Sequence, residues 1–375
     1  MTTTAFEIFL VAAPGHERLL AEEARACRFA KVRVVAGGVT IKGTWPEVWR
    51  ANLELRGTAR ILARIGTFKA SHLTQLEIRA RELAWRRLLL PDVPFRVEVT
   101  CARSRIYHTG AAAERIERAI RETLGALISP EGGSAAAEVC IKARIETDLC
   151  VVSVDTSGEP LHKRGHKTEV VKAPMRETLA ALFLRQCGYN GHEPVVDPMC
   201  GSGTFVIEAA EIASGLKPGR SRRFAFEQLA TFNAASFAKI RNRETNANPA
   251  FRFYGCDRDA GAIRMSRANA QRAGIAGITE FQQLEIEDLK APDGPPGLVI
   301  VNPPYGTRIG DKQPLPALYR ALGRTLLQRF SGWRVGLITS EPNLAKATGL
   351  PFKPPADPVL HGGLRVTLYQ SGALP

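Results

Sequence analysis

Apolar positions change their spacing several times along this chain, and each change marks an element. Residues 5–12 read as a strand, 16–27 as a helix and 31–42 as a hairpin turned at Gly37-Gly38, with a second helix over Trp45–Leu55. Strand, helix, two strands and helix predict a small α+β sandwich of ferredoxin-like type over residues 1–57. Further on, Val97, Val99 and Cys101 alternate with Arg96, Glu98 and Thr100, the pattern of a half-buried strand. Ala112, Ile116, Ala119, Ile120 and Leu127 recur at helical spacing, with Glu114, Arg115, Arg118 and Arg121 facing away. Strands over 138–146 and 149–154 then pair through a turn at Thr147-Asp148, closing a second α+β domain over 58–157. Residues 158–174 are punctuated by Gly and Pro and read as a linker. From Met175 the pattern becomes α/β. Strands at 193–197, 251–256, 278–283, 297–301, 333–339 and 364–370 alternate with helices and predict a doubly wound sheet over 175–375.

Composition adds a partner class to this outline. With 375 residues, 45% of them hydrophobic, the chain can bury the cores of several domains, which excludes disorder. The formal net charge of +14 points to a phosphate-rich partner, because neutralising phosphates releases counterions. Lys and Arg outnumber Asp and Glu between Arg50 and Arg121, and the tract Arg103-Ser104-Arg105 before a small-residue helix start is a docking candidate. The run from Phe6 to Ala13 is broken by Glu7 and has no basic residue before it, so no signal peptide is expected. No stretch approaches the apolar length of a membrane span. The seven cysteines are scattered without a CxxC pair or a histidine cluster, so neither a disulfide framework nor a metal site is expected, and a reducing cytoplasm fits.

Three motifs carry chemistry. Asp197-Pro198-Met199-Cys200-Gly201-Ser202-Gly203-Thr204 follows a strand and opens a helix, the way an open α/β sheet forms a cleft at its carboxyl end. Gly201 and Gly203 let the backbone approach a ligand, although any tight strand–helix turn also favours glycine. Asp197 adds an acceptor for a cationic amino acid moiety. Asp257 ends the next strand, placed for two ribose hydroxyls; the alternative, a helix N-cap, can be filled by Asp259. An insertion around 215–248 accounts for the long interval between the two motifs. Asn302-Pro303-Pro304-Tyr305 follows the buried strand Leu298–Val301. Two prolines remove two amide donors and stiffen the loop, leaving the Asn302 amide oxygen and the Pro303 carbonyl to hold an –NH₂ group by its protons. Tyr305 offers a flat face for an extruded base.

Together these motifs resemble the class I methyltransferases that act on exocyclic amines, and the wider match is to the THUMP-domain RNA guanine-N2 methyltransferases, most like their large-subunit ribosomal RNA branch. It is carried by Val34-Val35-Ala36-Gly37-Gly38-Val39, Ala51-Asn52-Leu53, His162-Lys163-Arg164-Gly165-His166, residues 173–181, Asp197–Thr204 with Ile207-Glu208-Ala209-Ala210, residues 302–308, Phe330-Ser331-Gly332-Trp333 and Ile338-Thr339-Ser340. The resemblance implies a ferredoxin-like domain, a THUMP RNA-binding domain and a Rossmann-like class I methyltransferase domain. It implies that Asp197, Pro198, Cys200, Gly201, Ser202, Gly203, Thr204 and Asp257 hold S-adenosyl-L-methionine. Glu285, with Asp288 as a rival, falls where the family's adenine-contacting aspartate stands. Asn302, Pro303, Pro304 and Tyr305 become the catalytic loop. Arg103, Arg105, Lys163, Arg164 and His166 become RNA-contacting candidates, with His166-Lys167 replacing the family's usual Tyr-Arg. The expected activity is N2-methylation of a guanosine in structured RNA, 23S rRNA foremost, without a metal. A DNA adenine-N6 methyltransferase shares the four-residue loop and is the first alternative; an inert RNA-binding or assembly factor is the second.

Overall fold

The computed structural model describes residues 4–125, 139–168, 175–243, 249–306 and 315–375. Leu127, Ala173-Pro174 and Thr307-Arg308, all named above, lie outside them. The chain forms two compact units. One comprises Met1–Ala12, Leu20–Leu161 and Arg222–Arg243; the other comprises Ala13–Leu19, His162–Ser221 and Glu244–Pro375.

In the first unit, β1 (Phe6–Val11), α1 (Glu17–Ala26), β2 (Ala30–Val35), β3 (Gly38–Gly43) and α2 (Trp45–Glu54) follow the predicted order. Gly37, at φ +77°, makes the hairpin turn, and Glu47 starts α2 by accepting the Thr44 N–H at 2.9 Å. Ile8 pairs with Ile41 and Leu10 with Val39, placing all four in the core.

A strand absent from the sequence reading, β4 (Arg60–Lys69), changes the architecture. It pairs antiparallel with β1 on one side and β7 (Leu149–Asp155) on the other. Beyond β7 lie β6 (Val139–Glu146) and β5 (Phe95–Ala102), with α3 (Leu73–Arg81) and α4 (Thr109–Leu124) packed together. The result is one seven-stranded sheet, β2-β3-β1-β4-β7-β6-β5, running through the boundary placed at residue 57. The turn at Thr147-Asp148 has both residues at positive φ, as a tight two-residue hairpin requires.

Residues 222–243, assigned above to the third domain, also belong to this unit. Phe226, Phe232 and Phe237, the last on α7 (Ala234–Arg241), surround Trp49 of α2 with ring centroids 5.8–6.4 Å apart. Arg222 donates to the carbonyls of Ser157, Glu159 and Pro160. Asn52 is fully buried and joins α2 to the end of β7 through Thr156 and Ser157, at 2.9 and 2.7 Å.

The second unit is the predicted doubly wound sheet. Its strands are β8 (Val195–Asp197), β9 (Phe253–Asp257), β10 (Thr279–Gln283), β11 (Leu298–Val301), β12 (Arg334–Thr339), β13 (Val359–His361) and β14 (Leu364–Gln370). The spatial order is β10-β9-β8-β11-β12-β14-β13, parallel from β10 to β12, with β14 antiparallel to both neighbours. Period-two alternation divides the apolar residues between the two faces. Val195, Leu298, Ile300 and Ile338 join a cluster with α5 (Glu177–Gln186), α6 (Thr204–Ala213) and α8 (Ala260–Ala273). Val196, Val299, Val301 and Leu337 join another with α9 (Leu315–Arg329) and α10 (Pro342–Ala347). Strand order reverses between β8 and β11, which puts a cleft at their carboxyl ends.

Candidate active site

The three motifs converge there. Asp197 ends β8, Asp257 ends the adjacent β9, and Asn302 directly follows β11 on the other side of β8. The glycine turn is tied to β9 by Cys200 N–H donating to the Cys256 carbonyl at 2.8 Å and by Gly201 N–H donating to Asp257 Oδ2 at 2.9 Å. From α8, Ser266 Oγ donates to the Gly201 carbonyl at 2.8 Å and Asn269 Nδ2 to that of Ser202 at 3.1 Å. Gly203 caps α6 at φ +83°, where a Cβ would stand 3.1 Å from Ser266 Oγ and 3.2 Å from Phe281. The N-cap of α8 is Asp259, donated to by Gly261 N–H at 2.7 Å, so Asp257 is not needed for that duty.

Electrostatically, Asp197 is the unusual member. It is 2% exposed, and burial drives its carboxyl well above the ordinary range; the Met199 N–H at 3.1 Å opposes that rise, while the nearby Asp257 charge adds to it. An incoming cation would stabilise its ionised form. Ser202 Oγ is buried and has no hydrogen-bond partner among the described residues. Pro198 is buried, and the buried Cys200 thiol faces Ser266 at 3.7 Å, its pKa pushed well up by desolvation. Thr204 is already engaged: its hydroxyl accepts from Lys167 Nζ at 2.6 Å. Glu285 and Asp288 follow β10 and are both exposed.

The Asn302 loop is held from residues that sequence reasoning missed. The buried Tyr319 hydroxyl on α9 reaches the Pro304 carbonyl at 3.2 Å and Thr339 Oγ1 at 3.3 Å. Glu341 Oε1 accepts the Gly306 N–H at 2.9 Å. Pro303 is buried, and Tyr305 is half-buried against both apolar clusters. Asn302 Oδ1 is buried without a partner among the described residues, an arrangement that costs about 1–3 kcal/mol unless something donates to it.

The RNA-contacting candidates divide. Arg103 and Arg105 are exposed on the segment between β5 and α4, but each faces a carboxylate, Glu146 and Asp148 respectively. Exposed pairs of this kind contribute at most about 1 kcal/mol, so a phosphate can compete for them. Lys163 is exposed. Arg164 and His166 are corrections. Arg164 lies 3.0 Å from Glu208 with both side chains 1% exposed, and His166 lies 3.2 Å from Glu211, its imidazole pKa lowered chiefly by burial. Both glutamates lie on the otherwise apolar helix α6: Arg164 neutralises Glu208, Glu211 takes its positive charge from Arg220 at 2.7 Å, and the buried Arg164 and His166 cannot reach RNA. Lys167 likewise pairs with Glu177 at 2.9 Å.

A parallel sheet whose order reverses beside a glycine turn, with acids ending two adjacent strands and an Asn-Pro-Pro-Tyr loop after the third, defines a Rossmann-like methyltransferase domain. A family described as the RMKL-like methyltransferase domain matches residues 164–353, just over half of the chain, and the chain belongs to that family. Residues 7–62 match the RlmL ferredoxin-like domain. A ribosomal RNA large subunit methyltransferase K/L of Syntrophotalea carbinolica is 34% identical over 92% of this chain and 50% of its own length. Its counterpart in Vibrio parahaemolyticus is 30% identical over 89% and 49%. The chain thus spans about half the length of these curated relatives. Among solved structures, a candidate methyltransferase complexed with SAH matches at 28% identity and TM-score 0.88 over all of both chains. A protein of Listeria monocytogenes described as a predicted N6-adenine-specific DNA methylase matches at 28% and 0.88, over 99% of this chain and 97% of its own.

Proposed function

We propose that this protein transfers a methyl group from S-adenosyl-L-methionine to the exocyclic N2 amine of a guanosine in RNA, with large-subunit ribosomal RNA as the substrate. The observation that carries the reading is Asn302 Oδ1, a buried acceptor with no donor among the described residues, next to a loop whose two prolines contribute none. An arylamine supplies the missing donor. The names of the K/L relatives support ribosomal RNA as its source, and the +14 charge supports a polyphosphate partner.

The cofactor fits the donor set. Asp197, raised by burial, would take the cationic amino group; Asp257, whose Oδ2 already orders Gly201, would take ribose hydroxyls; the Gly201–Gly203 backbone would lie against the ligand. Cys200 and Pro198 shape that turn from within, and Glu285 would reach the adenine edge. When bound, the cofactor supplies an electrophilic methyl group. The chain's own residues hold the acceptor: Asn302 Oδ1 and the Pro303 carbonyl accept hydrogen bonds from the amine's two N–H groups, and Tyr305 stacks the base. Neither Asn302 nor the prolines titrate, so the loop acts by positioning and charge matching. Tyr319 and Glu341 fix its backbone. The block of residues 58–157 would serve as the THUMP module, docking RNA through Arg103, Arg105 and their surroundings.

The test compares wild type with Asn302→Ala on deproteinised large-subunit RNA with labelled cofactor. The variant should lose about a hundredfold or more in rate while cofactor affinity, read by calorimetry, stays within a few-fold. A variant retaining most of its activity removes the loop from catalysis. The description of the Listeria structure favours a second reading, methylation of adenine in DNA through the same loop.

A further inference from the structure

The second unit carries a charged groove that takes no part in the site above. It lies between α9 and the carboxyl end of α10, measures about 610 Å³, and includes Arg320, Arg324, Gln328, Lys346 and Thr348 in its lining. None of the cofactor or loop residues contributes to it. Arg320 and Arg324 are one turn apart on α9 and so share a face, about 6 Å apart along the axis. Gly323 between them allows the closeness of the two walls: a Cβ there would stand 1.7 Å from the Thr348 carbonyl.

The charge of the groove has one sign. Arg320, Arg324 and Lys346 are exposed, and among the described residues none is ion-paired. Neither helix contains Asp or Glu. Glu341, just before α10, is turned to the Gly306 N–H instead, and the remaining cation of α9, Arg329, donates to the carbonyls of Glu287 and Leu289. Three cations without an ion-pair partner among the described residues therefore line one concavity.

We propose that this groove binds the phosphate backbone of the RNA substrate, as a second docking surface carried by the methyltransferase domain itself. The proposal rests on the RNA reading given above. Guanidinium groups at one-turn spacing suit successive phosphate oxygens, and the exposed Gln328 suits a ribose hydroxyl. Such a surface adds affinity without sequence information and lets the distance from groove to cleft select which nucleotide is presented.

The experiment measures binding of transcribed large-subunit RNA to the full chain at several salt concentrations, for wild type, Arg320→Gln/Arg324→Gln/Lys346→Gln, the single variant Arg324→Gln, and Arg320→Lys/Arg324→Lys. Thermal melting and calorimetric cofactor binding verify the fold of each. Three lost contacts should lower the slope of log affinity against log salt by about two and weaken binding roughly tenfold at moderate salt, since each phosphate contributes about 0.7 to the slope for single strands. The single variant should lower the slope by a third as much, and the lysine variant should restore most of it. Turnover at saturating RNA should stay near wild type, with the loss in KM. Steep wild-type salt dependence with an unchanged slope in the triple variant overturns the groove and leaves the RNA reading standing. Selective loss of binding to an acidic protein, with RNA binding intact, also overturns it. No RNA binding by the wild type overturns the RNA reading itself.

Discussion

Asp197 and Asn302 are the two side chains whose surroundings are hardest to explain without ligands. Burial raises the Asp197 carboxyl pKa in the folded protein, so the native state holds that proton longer than the unfolded chain does. A raised acid lowers stability as pH rises from its unfolded value toward its folded one. Asp197→Asn should therefore melt above wild type near about pH 7.5 and at the same temperature near about pH 4, both without ligand. The same variant should bind the cofactor at least about tenfold more weakly, having lost a charge-assisted bond. Melting curves at the two pH values and a calorimetric titration check both halves; equal melting at both pH values would remove the strain assigned to Asp197. At this scale the motifs were legible because strand-end acids and an Asn-Pro-Pro-Tyr loop state their chemistry in their residue types. Arg164 and His166 were misread because a basic residue in a Gly-punctuated stretch looks solvated. The signal against that reading lay 44 residues beyond Arg164, in Glu208, and three residues further in Glu211, both inside the apolar helix α6.

Among elements, the segment His162–Lys167 behaves as part of the methyltransferase domain, pinned by Arg164–Glu208 and His166–Glu211. Gly165, at φ +98°, sits between two inward-facing residues. Removing one partner of a fully buried pair leaves an uncompensated charge, typically worth about 3–5 kcal/mol. Arg164→Ala should lose roughly that much stability in denaturant titration, and Arg164→Met/Glu208→Leu should recover most of it. An Arg164→Ala protein of wild-type stability with weakened RNA binding would return this residue to the surface. Strand β4 shows why elements were missed: Leu62 shares a face with Arg60 and Arg64, and an irregularity between Arg64 and Gly66 shifts the register, yet Arg60 is neutralised by Asp155 at 2.5 Å and Arg64 by Glu7. Cross-strand partners distant in sequence make those charges compatible with a central strand, and periodicity alone does not reveal them.

For the whole molecule, the continuous sheet and the return of residues 222–243 to the first unit mean that the N-terminal half is not a detachable attachment. Deleting residues 1–157 should uncover Phe224, Phe226, Phe232 and Phe237 along with Trp49's former site, an apolar patch of the kind that drives association. The fragment should elute as aggregates in size-exclusion chromatography, and a monodisperse, cofactor-binding fragment would contradict the two-unit division. The doubly wound sheet was legible because buried parallel strands are continuous apolar runs. The unit boundaries were not, because they depend on contacts between residues more than a hundred positions apart. The central claim is the identity of the methylated atom. Wild-type protein incubated with labelled cofactor and either deproteinised large-subunit ribosomal RNA or genomic DNA, followed by digestion to nucleosides and mass spectrometry, reads it directly. The account predicts label in N2-methylguanosine from the RNA and none in the DNA; label in N6-methyladenine from the DNA, with unmodified guanosine in the RNA, would contradict it.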